Sequence, residues 1–198
     1  GEGQDYGWSN PIHEYFHIAQ VAHTARYEQR TTDLMGPIWF WEGSAQFMDK
    51  WITEKLQKEG KLPVLGEGPY DFIRGQTWTL KAARAWWAAG NRLPEVRNVS
   101  VLDANPPSDD LLRNVGPWTT AYLLHSIDDT RALEDKFYPV LRELGFEGAF
   151  EQTFNLTVEE FNTVFDEFMG KSVEEQLSIL PGWNDYELKD QAISDAKS

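Results

Sequence analysis

His13-Glu14-Tyr15-Phe16-His17 reads H-E-x-x-H. Two imidazoles four positions apart leave the same face of a helix and can grip one metal ion, and the Glu between them lies beside any water that ion holds. The chain carries four histidines in 198 residues, so a pair at this spacing around a Glu is a specific signal. The bland alternative is a pair of surface histidines one helical turn apart.

A tetrahedral zinc in a hydrolase takes three protein ligands and keeps a fourth position for water. His13 and His17 supply two. The third is expected from a separate element packed on the first helix, and the candidate is Glu42, in Trp41-Glu42-Gly43-Ser44-Ala45-Gln46-Phe47. Its expected place is the first turn of a second helix, where the small Gly43 and Ala45 let that helix approach the first closely. Residues 18–41 suffice to end one helix, turn and return antiparallel. With Zn2+ as cofactor the implied reaction is hydrolysis. Zinc lowers the pKa of bound water to about 7, Glu14 takes the water proton as general base, and the same carboxyl later delivers it to the leaving amine. The other reading of Glu42 is an acid favoured by a helix N-terminus.

Glu14-x-x-His17 is also the ligand unit of di-iron carboxylate bundles, which need a second Glu-x-x-His on another helix. The residues three before His13, His23 and His125 are Asn10, Gln20 and Tyr122, so no second unit exists. His23, six residues after His17, falls well round the helix from the ligand face and reads as structural.

The elements that must position these groups read as helices joined by loops. Asn10 as N-cap and Pro11 in the first turn start the H-E-x-x-H helix, with Ile12, Tyr15, Phe16, Ala19 and Ala22 as its apolar stripe. Gly36-Pro37 breaks the chain in a loop over 31–37. A second helix is expected over 41–58, with Ala45, Met48, Ile52 and Leu56 inward. After a Gly- and Pro-rich loop over 60–70, a third helix spans 71–89 and ends at Gly90. Residues 91–116 read as mostly irregular, with a short helix over 109–113. Helices over 117–127 and 131–144 follow, the latter kinked or broken at Pro139. Residues 145–154 read equally as helix or loop. Thr157-x-x-Glu160 is a capping box opening a helix that stops at Gly170. A short helix over 173–180 and a frayed polar tail from Tyr186 complete the chain. No strand series and no internal repeat is apparent. The expected fold class is mainly α, a helical bundle around the H-E-x-x-H helix with little or no β-sheet, in one domain over 1–198.

Composition bounds the partners. The net charge of -14 and a pI near 4.6 argue against nucleic acid and anionic membranes. The absence of cysteine removes disulfides, thiolate metal sites and cysteine nucleophiles. No apolar run approaches membrane-spanning length, so membrane insertion is not expected. Of the nine tryptophans, Trp39, Trp41, Trp86 and Trp87 could line a groove, but packing between helices is the expected use. Oligomeric state is not encoded in any visible signal.

His13-Glu14-x-x-His17 followed by Trp41-Glu42-Gly43-x-Ala45-x-Phe47 resembles the gluzincin zinc metallopeptidases, the thermolysin-like and aminopeptidase-like clan. The resemblance implies zinc on His13, His17 and Glu42, with Glu14 as general base and a peptide or protein as substrate. Weaker similarity continues through Ala121-Tyr122-Leu123-Leu124 and through 148–161, so it covers roughly residues 10–169. It also implies action outside the cytoplasm, secreted or periplasmic. A catalytically inactive peptidase-like module for binding or assembly is the rival reading.

The chain departs from that pattern in three places. The resembling enzymes set a β-sheet ahead of the zinc helix, whereas nine residues precede Asn10 here. The expectation is therefore the helical part of a longer protein, or a groove built another way. Where thermolysin-like enzymes keep an Asp four residues past the ligand Glu to orient a histidine, this chain has Gln46, with Asp49 nearly a turn further as the fallback. The family also uses a Tyr or His to hold the developing oxyanion. Tyr122 and His125, three apart on one helix face, and Tyr70 are the candidates, each equally compatible with a packing role.

Overall fold

A computed structural model of the chain describes residues 9–24, 32–64, 68–93 and 110–197. Among them all regular structure is helical: α1 (Ser9–Thr24), α2 (Thr32–Met35), α3 (Ile38–Lys58), α4 (Phe72–Ala88), α5 (Gly116–Ser126), α6 (Tyr138–Phe154), α7 (Val158–Met169), α8 (Val173–Leu177) and α9 (Lys189–Lys197). The mainly helical bundle expected from the sequence is therefore the fold. No helix among the described residues is long and apolar enough to cross a membrane.

The central element is α3, which packs on α1 on one side and on α5 on the other. It starts three residues before the expected 41 because Pro37 ends the Gly36 turn and enters the helix directly, with no side-chain cap to mark the boundary. Gly36 holds φ +73 beneath the ring of Phe146, a position a side chain could occupy only by displacing that ring. Gly43 serves a different neighbour from the one expected. Its face is pressed against Gly116 at the start of α5, where a Cβ on Gly43 would overlap the Gly116 backbone. It is the α3–α5 approach, not α3–α1, that requires this glycine.

One continuous core joins residues from α1 to α9. Its centre is aromatic: Phe40, Phe137, Phe146, Phe150, Phe154, Phe161, Phe165 and Phe168 pass ring contacts from α3 through α6 to α7. Each such pair adds about 0.5–1.5 kcal/mol beyond the area it buries. Trp39 and Trp87 are buried in this packing role, as expected, with Trp86 packed half-buried against the same core, whereas Trp41 is buried outside it.

Local signals fixed several boundaries. Asp71 caps α4 by accepting from the Arg74 N–H at 2.9 Å, and Thr157 with Glu160 forms the expected capping box of α7. A second box, Ser172 with Glu175, opens α8. Pro139 does not kink a helix. It lies in the first turn of α6, where its missing N–H costs nothing. Widened π-type turns, Asp110–Val115 and Leu133–Phe137, lead into α5 and α6 instead. The break inside α6 is at Gly145, with φ 72 and ψ 176, and 146–154 continues as helix.

The tail is ordered rather than frayed, since Ala192 and Ala196 bury one small apolar face of α9 against α4. Most of the stretch 91–116 expected to be irregular, and Arg26 and Arg30, whose spacing suggests a solvated helix face, lie outside the described residues.

α1 is turned differently from expectation. Phe16 is buried, but Tyr15 is 71% exposed, and Ile18 and Val21 are 64% and 43% exposed. Its covered side carries His13, His17, Gln20 and Thr24. The covered side of the helix thus mixes Phe16 with polar residues, while part of its apolar stripe faces outward, unlike an ordinary surface helix. Arg142 of α6 holds the far end of α1 by donating to the carbonyls of Ala22 and His23, which satisfies two acceptors left open at a helix C-terminus.

Candidate metal centre

α1 presents His13 and His17 one turn apart, and α3 presents Glu42 opposite them. His13 Nε2 and His17 Nε2 are 3.0 Å apart. Glu42 Oε2 stands 3.5 Å from the first and 3.4 Å from the second. These three ligand atoms form the metal-competent group found among the described residues. Ligands about 2.0–2.1 Å from a tetrahedral ion stand about 3.3–3.4 Å from one another, so the two edges to Glu42 match that size and the edge between the histidines, at 3.0 Å, is shorter. Glu42 lies in the second turn of α3, not the first, because the helix begins at Ile38.

The three groups are half-buried, and their charges are coupled. Burial works against a charge on His13, but the carboxylates of Asp49 and Glu42 outweigh it and hold the imidazole up at about 9. Burial likewise opposes charge on Glu42, and the two imidazoles outweigh it, holding the carboxyl down at about 2.

Each histidine has a partner behind it. Asp49 Oδ2 is 3.4 Å from His13 Nδ1, an ion-pair distance without hydrogen-bond alignment. Burial pushes the Asp49 carboxyl up. The expected Gln46 does not take this place. From Glu42, seven residues along α3 return almost to the same face while four residues fall further round, so Asp49 faces His13. His17 Nδ1 lies 2.6 Å from Gln20 Oε1, and the Trp41 ring stacks on the imidazole at 5.5 Å between centroids. Gln20 was not legible as a functional residue. Its one sequence signal is the spacing of three from His17.

Glu14 is exposed on the neighbouring face of α1, next in sequence to the half-buried His13. Tyr122 is elsewhere: its ring packs against Phe161, Phe165 and Phe168 of α7, and burial, with Glu167 near, pushes its hydroxyl up. His125 is exposed near the end of α5. The Tyr70 hydroxyl sits against Gly75 of α4. The structure therefore sets the Tyr122 ring among the α7 phenylalanines rather than at the ligand triangle. His23 stacks on Tyr138, in keeping with a structural role.

Comparison of the chain with family models, with curated proteins and with solved structures finds no match.

Proposed function

We propose that the chain is a zinc-dependent peptidase of gluzincin type, hydrolysing peptide bonds in a peptide or protein substrate. The observation that carries this reading is the convergence of His13 Nε2, His17 Nε2 and Glu42 Oε2 from two helices, with edges of 3.0, 3.4 and 3.5 Å. Two imidazoles and one carboxylate suit zinc among the common divalent ions and leave a coordination position open. Bound zinc would supply an activated water and polarise the scissile carbonyl. Glu14, next in sequence to His13 and open to solvent, would accept the water proton and return it to the leaving amine. Asp49 and Gln20 hold the rims of the two imidazoles away from the ion. Zinc-loaded chain assayed on a mixed peptide library, beside Glu14→Gln, tests the reading: cleavage by the parent and none by the variant supports it.

The second reading is a peptidase-like module that binds or assembles without catalysis. The exposed apolar stripe of Tyr15, Ile18 and Val21 favours it, since apolar residues on an outer helix face mark a docking surface. Zinc content and cleavage together separate the two.

A further inference from the structure

The Trp41 carbonyl is an acceptor and nothing else. The side-chain atom of Gln20 that lies 3.1 Å from it must therefore be the amide nitrogen. The same nitrogen stands 3.0 Å from Ser44 Oγ and 3.1 Å from the Tyr138 hydroxyl, so its two protons are shared among three oxygens. Gln20 has 0% exposure, so bulk solvent does not reach these groups. With the nitrogen committed, Oε1 is the atom left to face His17 Nδ1 at 2.6 Å. An amide oxygen only accepts, so Nδ1 must donate. A neutral imidazole protonated on Nδ1 carries its lone pair on Nε2, and Nε2 is the atom aimed at His13 and Glu42.

We infer that Gln20 is a positioning residue which fixes His17 in the Nδ1–H tautomer, with its own orientation dictated by the backbone carbonyl of Trp41. This rests on the metal-centre reading for its purpose, though not for its geometry. The device is neutral where the group behind His13 is the Asp49 carboxylate, so the two histidines are backed by unlike partners. Trp41 ties the arrangement to α3 twice, through its carbonyl to Gln20 and through its ring on the His17 face. Because Trp41 precedes Glu42 in sequence, the carbonyl that orients Gln20 belongs to the residue bonded to the third ligand candidate. Tyr138, at the start of α6, closes the same network from a third helix. Burial pushes its hydroxyl up to about 12, which keeps it a neutral partner over the working pH range.

The test is a long-range nitrogen–proton correlation spectrum of the full metal-free chain labelled at the histidine nitrogens, with His17 assigned by its loss in His17→Ala. The spectrum is read at a pH where it shows the His17 ring neutral. The parent should show Nδ1 protonated and Nε2 bare. Gln20→Met, similar in volume and unable to accept strongly, should lose that bias towards a mixture of tautomers, while Gln20→Glu keeps the proton on Nδ1. Zinc affinity of Gln20→Met, by chelator competition, should fall about 10–100-fold. A parent His17 protonated on Nε2, or an unchanged tautomer in folded Gln20→Met, overturns the inference. The parent spectrum decides the matter even if the Met variant does not fold. Because the spectrum needs no metal, an Nδ1–H His17 in a chain that refuses zinc would sink the metal reading alone. A zinc-binding chain with Nε2–H would sink this inference alone.

Discussion

Asp49 Oδ2 stands 3.4 Å behind His13 Nδ1, two turns along α3 from Glu42, so one helix supplies both the carboxylate of the triangle and the acidic group behind one of its imidazoles. A carboxylate there raises the basicity of the imidazole and holds its ring in place. Asp49→Asn should therefore keep the fold and weaken zinc binding about 10–100-fold, read by chelator competition with circular dichroism as the control. Unchanged affinity would remove Asp49 from the site.

The metal-free site carries its own pH dependence. His13 is raised from 6.5 to about 9, so its contribution to stability is whole below about pH 6.5 and is lost as pH rises through 9. Glu42 is lowered from 4.5 to about 2, so its contribution is whole above about pH 4.5 and is lost as pH falls through 2. Both are present between these limits. Thermal melts of chelator-treated protein should show the parent losing more stability than His13→Gln between pH 6 and about pH 9.5. Parallel pH profiles would contradict the coupling. Zinc must displace the His13 proton, so its affinity should climb over the same range.

Gly43 and Gly116 meet backbone to backbone where α3 crosses α5, one residue from Glu42. A methyl group on Gly43 can be accommodated only by moving the helices apart. Gly43→Ala should destabilise the chain by about 1–3 kcal/mol, the usual cost of overpacking. It should also loosen zinc binding, because Glu42 moves with its helix. Urea unfolding gives the first quantity. A neutral substitution would mean that α5 is not seated there.

Glu14→Gln removes the proposed base without touching a ligand. The variant should bind zinc like the parent and cleave no peptide. Cleavage at the parent rate would show that another group takes the proton.

What the sequence made legible was local. The His13–His17 spacing and the Thr157–Glu160 capping box lie within one turn, and local geometry alone determines them. Glu42 was legible as a ligand candidate because a small-residue helix start follows the motif, although the helix begins earlier than its side chains announce. The facing of α1 was not legible. Its apolar residues fall at helical spacing, and only the tertiary packing decides that His13, His17 and Gln20 go inward while Tyr15 and Ile18 stay out. Gln20 and Tyr138 are 118 positions apart, and no periodicity connects them. Tyr122 and His125 had the right chemistry at a plausible spacing, but α5 directs the Tyr122 ring into the phenylalanines of α7.

Metal analysis bears most directly on the central claim. Purified chain exposed to excess zinc and then desalted should retain one zinc per molecule, and His13→Ala and Glu42→Ala should each retain almost none while remaining helical. A parent that retains no zinc, or a His13→Ala variant that retains as much as the parent, would contradict the account.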